Sequence, residues 1–327
     1  MALNVNGNSV TDCYREMLHM MHIYGKEESS RNGKVLTLTQ GVELTMFDPQ
    51  DRVLLDPLRN ANPFFHVMEF VWMMTGSSEV AWISQFNKRM VEYSNLGRLH
   101  GAYGARWHRG EQIMAVIEKL HNRSSRQAVI SMWEPVRDNK PGYGDYPCNT
   151  HAYFRVVKGA LNMTVCNRSN DVIWGMLGAN VVHMTLLQEV LAHELNLSLG
   201  EYRVYTNNAH IYEHHWPLIE RRNEIVTPVL HEPYPLLGRG DSYRLLCEDC
   251  ADLVAGELHD LSTPWVNEVA VPIYLAWKEH KLGREAYSIA DIKDENWRIA
   301  CQDWISRKLA STVEQDKLPG ITRSDLL

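Results

Sequence analysis

Cysteine is scarce in this sequence. The six present (Cys13, Cys148, Cys166, Cys247, Cys250 and Cys301) are spread over 327 residues, too thinly for a secreted scaffold held by disulfides, so reduced thiols are expected. Cys247 and Cys250 make one CxxC. A structural zinc takes four ligands, and no second pair stands at finger spacing, so no metal is expected there. Also missing is any uninterrupted apolar run of about 18 residues or more, which excludes a membrane-spanning helix. The opening segment MALNVNGNSVTDCYREM lacks the basic, apolar, small-residue order of a secretion signal. The chain therefore reads as soluble and cytoplasmic, with no membrane partner. Positive charge is not in surplus either: 33 basic against 40 acidic residues give a formal charge of -7. Without a broad cationic surface, no nucleic-acid partner is expected.

What is present is globular composition, 45% hydrophobic and 22% charged, in a chain long enough for one large domain or two ordinary ones. Helical spacing of Tyr14, Met17, Leu18 and Met21 predicts a helix over 10–24, and the alternation KVLTLTQGVELTM predicts a strand pair around Gly41. Helices are predicted over 64–75, 80–91 and 111–121, then strands over 127–133, 152–157 and 160–166, the last two joined by a tight turn at Lys158-Gly159. The apolar pattern at 179–196 predicts a central helix, followed by a strand over 201–206. Pro228, Pro233, Pro235, Gly238 and Gly240 crowd into a linker-like stretch, beyond which 243–257, 264–280 and 292–310 carry only helical periodicity. The fold class expected is α+β, a mixed sheet packed by helices, with a catalytic domain over 1–237 and a helical C-terminal extension over 238–327.

The chemistry centres on Cys148 in Tyr146-Pro147-Cys148-Asn149-Thr150. Taken alone, it reads as a structural thiol. Downstream, the polar cluster Asn167-Arg168-Ser169-Asn170-Asp171 follows a predicted strand and precedes an apolar helix. It serves as a helix cap or as an anion site, since a guanidinium fork beside a hydroxyl suits an oxyanion or phosphate. A cation near a thiol also raises its thiolate fraction.

The strings PCNTHAYFRV, NRSNDVIWG, GANVVHMTLLQEVLAHEL and NNAHIYEHH, in this order, resemble the thymidylate synthase and pyrimidine nucleotide hydroxymethylase family. The 20 residues from Cys148 to Arg168 and the 23 from Cys148 to Asp171 match its spacing, as do Glu69 in a helix and AYGARW at 102–107. The resemblance covers roughly residues 10–220 and implies a thymidylate synthase-like fold. It implies Cys148 as the nucleophile that adds to carbon 6 of a pyrimidine and activates carbon 5 toward the one-carbon unit of 5,10-methylenetetrahydrofolate. Glu69 would organise water and protons around the base, and Tyr103 would belong to the proton network at carbon 5. Arg31, Arg168 and Ser169 would bind phosphate, together with Arg126, donated across the interface of a homodimer. His210 and Tyr212 would hold a sugar hydroxyl, and Asp171 the pterin of the folate. His214 and His215, with His210, do not complete a metal site.

Departures from the family pattern bear on the product. Asn149 stands where thymidylate synthases carry a uracil-reading histidine. One extra residue separates Asp171 from Asn180, so either Asn180 or the small Ala179 takes the base-reading position; Ala179 would leave room for a ribose hydroxyl. An asparagine amide presents oxygen to cytosine or nitrogen to uracil after a flip. Arg89 replaces a tryptophan that packs on the folate, Gln127 replaces the second arginine of a phosphate pair, and the chain runs on where the family closes its site with a short tail. Loss of the aromatic wall favours water over hydride at the exocyclic methylene. The expectation is a folate-dependent 5-hydroxymethyltransferase acting on a pyrimidine nucleoside 5′-monophosphate, cytidylate (CMP or dCMP) favoured. A thymidylate synthase, a dUMP hydroxymethylase and a non-catalytic nucleotide-binding homologue stand as alternatives.

Overall fold

The computed structural model describes residues 2–226, 228 and 231–316, with side chains through residue 310. The first helix, Val10–Tyr24, begins at Ser9, whose hydroxyl accepts from the Asp12 N–H at 3.1 Å while the Asp12 carboxylate accepts from the Ser9 N–H at 3.2 Å. This reciprocal cap satisfies two of the N–H groups that every helix start leaves free. Tyr14, Met17, Leu18 and Met21 all lie on its buried face.

Six strands form one mixed sheet in the order β1 (Leu3–Gly7), β4 (Val42–Met46), β9 (Ser198–Thr206), β7 (Ala160–Asn167), β6 (Asn149–Val157) and β5 (Ala128–Ser131). The β1/β4 and β7/β9 pairs are parallel and the rest antiparallel. Lys158 and Gly159 join β6 to β7 with φ of 50° and 81°, the doubly positive backbone that a two-residue hairpin requires. A second sheet runs β2 (Lys26–Ser30), β3 (Gly33–Leu38), β10 (Ala209–Tyr212) and β8 (Asn170–Asp171).

Two local expectations are corrected. The strands flanking Gly41 exist but do not pair: β3 joins β10 and β2 in the small sheet, whereas β4 joins β1 and β9 in the large one. The stretch between them is thus a crossover between sheets. The helix expected over 80–91 is two short turns, Val80–Ile83 and Met90–Tyr93. Between them the Asn87 side chain accepts the Arg89 N–H at 3.2 Å, a local bond that competes with helix continuation.

The helix Pro63–Met74 lies at the centre. Asn62 caps it through the Phe65 N–H at 3.1 Å, Pro63 occupies its first turn, and all twelve of its residues are buried. A helix buried all round needs covers on more than one side. One is the helix Asn180–Glu194, whose His183 Nε2 lies 3.1 Å from the His66 carbonyl. The other is the C-terminal group Tyr243–Ala255, Val271–Lys281 and Glu295–Asp316. There Trp277 and Trp304 pack against Phe64 at 5.4 and 5.5 Å between ring centres, and Trp265 packs edge-on against Phe70 at 5.9 Å. The buried Arg52–Glu189 pair, 2.5 Å apart, also accepts the Leu236 N–H on Glu189 at 3.1 Å, tying the linker to the body. Residues 317–327 of the expected extension lie outside the described residues. No helix among the described residues is long and apolar enough to cross a membrane.

Candidate active site

A cavity of about 1280 Å³ is lined by the small sheet, by the central helix and by residues flanking β6 and β7. Its lining includes Glu69, Tyr103, Cys148, Arg168, Asp171 and Asn180. Arg31, Ser169, Ala179, His210 and Tyr212 line it as well, so eleven of the twelve expected site residues meet in one space. Arg126 does not: it is exposed and outside the cavity.

Cys148 sits at the entry to β6, and its backbone is held from two sides. The Tyr103 hydroxyl accepts the N–H groups of both Cys148 and Asn149, each at 3.1 Å, which leaves its own proton free to donate. Arg168 donates Nε to the Pro147 carbonyl and Nη2 to the Tyr146 carbonyl, both at 3.0 Å, and brings Nη2 to 4.0 Å from Cys148 Sγ. This guanidinium therefore both shapes the nucleophile loop and faces the thiol. The expected activation of the thiol by Arg168 is outweighed in the resting site, because burial pushes the Cys148 thiol above its ordinary value against the pull of Arg168. The resting group is a thiol, and thiolate character has to develop as it attacks.

Glu69 is the single ionisable carboxyl on a fully buried helix whose other residues, His66 apart, are apolar. Burial, reinforced by the negative charge of Asp145, pushes it up to about 8, so it holds its proton at neutral pH. Its Oε2 lies 3.4 Å from His183 Nε2, while burial holds His183 down to about 3 and hence neutral. Tyr103 is likewise driven well above its usual value, first by burial and then by Cys148.

At one end of the cavity, Arg31 occupies the exposed turn between β2 and β3, where Asn32 donates to the Tyr212 hydroxyl at 3.3 Å. Ser169 donates to Asn208 at 3.0 Å; Asn208 in turn lies 3.0 Å from His210 Nδ1 and donates to Thr37 at 2.8 Å. Asn208 thus ties the serine and the histidine to the small sheet. At the other end, Asp171 Oδ1 accepts from the N–H groups of Ile173 and Trp174 at 2.8 and 3.1 Å. Oδ2 is left without a protein donor among the described residues. The Trp174 ring, 41% exposed, stacks on Phe65 at 6.0 Å and 21°.

The extra residue expected before Asn180 falls in a stretch of irregular backbone. Residues Val172–Ala179 wind as a π-type turn that breaks at Leu177 and Gly178, the widening that accommodates one inserted residue. Asn180 consequently opens the next helix and lines the cavity, its Nδ2 donating to Asn170 Oδ1 at 3.3 Å. Ala179 lines the same wall. Asn149, in contrast, turns away from the cavity and pairs with the buried Asn167 amide.

Several lining residues were not legible from sequence. Asp145 and Phe65 carry no pattern of their own, and Asn170, Trp174 and Asn208 lie inside the motif strings without a role assigned to them. The one signal Asp145 offers is its place three residues before Cys148.

Comparison with known proteins agrees with this geometry. A family model described as thymidylate synthase matches residues 12–231. The chain is 33% identical to the deoxyuridylate hydroxymethyltransferase of Pseudomonas phage M6, over 94% of this chain and 95% of that protein. It is 32% identical to the deoxyuridylate hydroxymethyltransferase of Bacillus phage SP01, over 63% of this chain and 58% of that protein. A putative thymidylate synthase of Methanosarcina barkeri is 28% identical over 58% of this chain and 83% of its own length. The chain belongs to the thymidylate synthase family and is a one-carbon transferase that draws on methylenetetrahydrofolate to methylate or hydroxymethylate a pyrimidine nucleotide.

Proposed function

We propose that the chain hydroxymethylates carbon 5 of a pyrimidine nucleoside 5′-monophosphate, with deoxyuridylate as substrate. The observation that carries this reading is the end-to-end similarity, C-terminal extension included, to a phage protein named for that activity. The geometry supports it: a thiol, a protonated carboxyl and two arginines, Arg31 and Arg168, share one cavity.

Cys148 adds through Sγ to carbon 6, and Arg168 stabilises the negative charge that develops on sulfur. The π electrons shift onto the carbonyl oxygen at carbon 4, where Glu69, holding its proton until about pH 8, supplies the general acid. Methylenetetrahydrofolate supplies the one-carbon unit. The residues present fit it: Asp171 keeps one carboxylate oxygen for the donor edge of a pterin, and Trp174 on Phe65 offers an aromatic face. Tyr103, with its proton free to donate, would orient a water that accepts the proton leaving carbon 5 and passes it to solvent. Arg31, Arg168 and Ser169 hold the phosphate, His210 and Tyr212 the sugar, and Asn180 the base edge. Arg126, exposed and outside the cavity, is the arginine that a partner subunit would donate in a homodimer.

A cytidylate substrate is the second reading. It is favoured by Asn149, which stands at the uracil-reading position but is turned inward onto Asn167; the Asn180 amide serves either base. Incubation with methylenetetrahydrofolate and CMP, dCMP, UMP or dUMP in parallel, followed by mass spectrometry, tests both. A gain of CH2O on dUMP supports the proposal, and the same gain on a cytidylate installs the second reading. A gain of CH2 on dUMP makes the chain a thymidylate synthase. No gain on any of the four makes it a nucleotide-binding homologue.

A further inference from the structure

The mechanism above leaves unassigned the group that acts on the water. Asp145 lies in the cavity wall, three residues before Cys148. Its Oδ2 accepts the Gly101 N–H at 2.8 Å, and Oδ1 has no protein donor among the described residues. Gly101 permits this approach: a Cβ there would stand 2.9 Å from Asp145 Oδ2 and 2.8 Å from the Pro147 nitrogen. The loop carrying Asp145 is braced. Tyr143 stacks on His100 at 3.7 Å, the Tyr146 hydroxyl donates to the Lys140 carbonyl at 2.5 Å, and Asp138 joins His100 to Arg106 at 2.6 to 3.0 Å. The free carboxylate oxygen is therefore held in place.

Two carboxyls in one cavity are set apart by their surroundings. Glu69 receives no donor and keeps a proton, whereas Asp145 receives the Gly101 N–H and faces His100, Arg106 and Arg168, which favour its charge. Burial still raises Asp145 above an ordinary aspartate, which strengthens it as a base. The charge on Asp145 is in turn felt at Glu69, Tyr103 and Cys148, the three groups around the reacting base.

We propose that Asp145 is the catalytic base that holds and deprotonates the water added to the exocyclic methylene, so that it directs the reaction to a hydroxymethyl product. The inference rests on the hydroxymethyl reading above. The water oxygen bonds to the exocyclic carbon and its proton passes to the Asp145 carboxylate. The methylene π pair moves into the ring as the C5=C6 bond, and the C6–S bond breaks with its electrons returning to Cys148. No hydride is consumed, so the folate leaves as tetrahydrofolate, and the Asp145 proton returns to the thiolate or to solvent.

The test is Asp145→Asn, with Asp145→Ala as a second variant, under single-turnover conditions with methylenetetrahydrofolate and [5-³H]dUMP, or [5-³H]dCMP if the four-nucleotide incubation selects it. Tritium release reports the steps before water addition, and mass spectrometry reports the product. The expected result is a burst of tritium near one equivalent per site with hydroxymethyl product reduced on the order of 10²- to 10³-fold. Added 2-mercaptoethanol should then capture the methylene as a thioether. Product formation that keeps pace with tritium release would overturn the role, as would a loss of tritium release equal to the loss of product, because Asp145 would then act earlier. If the unsubstituted enzyme forms a methyl product or none, the underlying hydroxymethyl reading fails, and this result is separate from either variant's behaviour.

Discussion

Two regions meet on the helix Pro63–Met74, and they are built by opposite rules. On one side the C-terminal helices cover it with Trp265, Trp277 and Trp304, and the buried carboxylates of that cover, Asp249 and Asp294, are paired, although Thr263 Oγ1 is not. Asp294 accepts the Tyr234 and Trp297 N–H groups at 3.0 and 3.1 Å, and Asp249 those of Ser262 and Thr263 at 3.2 and 2.5 Å. On the other side, toward the cavity, Glu69 Oε2 and His183 Nδ1 are buried without a hydrogen-bond partner. Buried polar groups are usually paired, and exceptions concentrate where chemistry needs them. The contrast lies in the carboxyls: on one side of the helix they are paired beside an aromatic seam, and on the other Glu69, the proposed acid, is left unpaired. The seam supplies the burial that lets the unpaired carboxyl persist.

The comparison breaks or sharpens under substitution, beginning with the largest effect. Cys148→Ala should lower turnover by at least about 10⁴-fold, as loss of a covalent nucleophile does. Nucleotide affinity should be largely retained when measured by calorimetry. Undiminished product from this variant would remove the nucleophile assignment.

Glu69→Gln should act in opposite directions on activity and stability. Turnover should fall on the order of 10²- to 10⁴-fold with the loss of a general acid. A carboxyl whose folded value is raised from 4.5 to about 8 weakens folding progressively as pH rises through that window. The variant should therefore match the parent below about pH 4.5, gain stability between there and pH 8, and hold a full gain of about 2 to 5 kcal/mol above it. Urea titrations at pH 4.5 and 8.5 check this, and a gain that does not grow with pH would mean that Glu69 is ionised in the fold.

Phe64→Ala tests the opposite face. Phe64 lies fully buried between Trp277 and Trp304, and its truncation should cost about 3 to 5 kcal/mol of stability. Activity per folded molecule should change by less than about threefold if the two faces are energetically independent. A large loss of activity in the remaining folded enzyme would couple the cover to the site. The smallest effect is assigned to Arg126→Ala, which should weaken nucleotide binding about 10- to 100-fold through one lost charged contact. Unchanged affinity in a variant shown by sedimentation to be dimeric would end its cross-subunit role.

Much of the fold was legible because period and punctuation are local. The spacing of Tyr14, Met17, Leu18 and Met21, the Lys158-Gly159 turn and the three C-terminal helical segments all appear where sequence places them. Strand β2, KEESS, was not legible, because all five of its residues are exposed and none alternates in polarity. The partners of β3 and β4 were misjudged for a different reason: adjacency along the chain suggests a hairpin, but pairing is decided by which sheet edge the crossover reaches. The candidate site was legible as a set of residue types at matching intervals, from Glu69 through Cys148 and Arg168 to Asp171.

By itself, the sequence determined the family and named the candidate residues of its thiol chemistry, because these depend on which groups are present and on how far apart they stand. Tertiary structure alone decided their electrical states. Burial keeps the Cys148 thiol protonated despite Arg168 and pushes Glu69 up to about 8, whereas at Asp145 burial, which also raises it, is opposed by the Gly101 N–H and by Arg106 and Arg168. It also decided that the π-type turn carries Asn180 to the cavity while Asn149 turns from it. Desolvation and Coulomb interaction depend on distances between residues remote in sequence, so no local pattern encodes them.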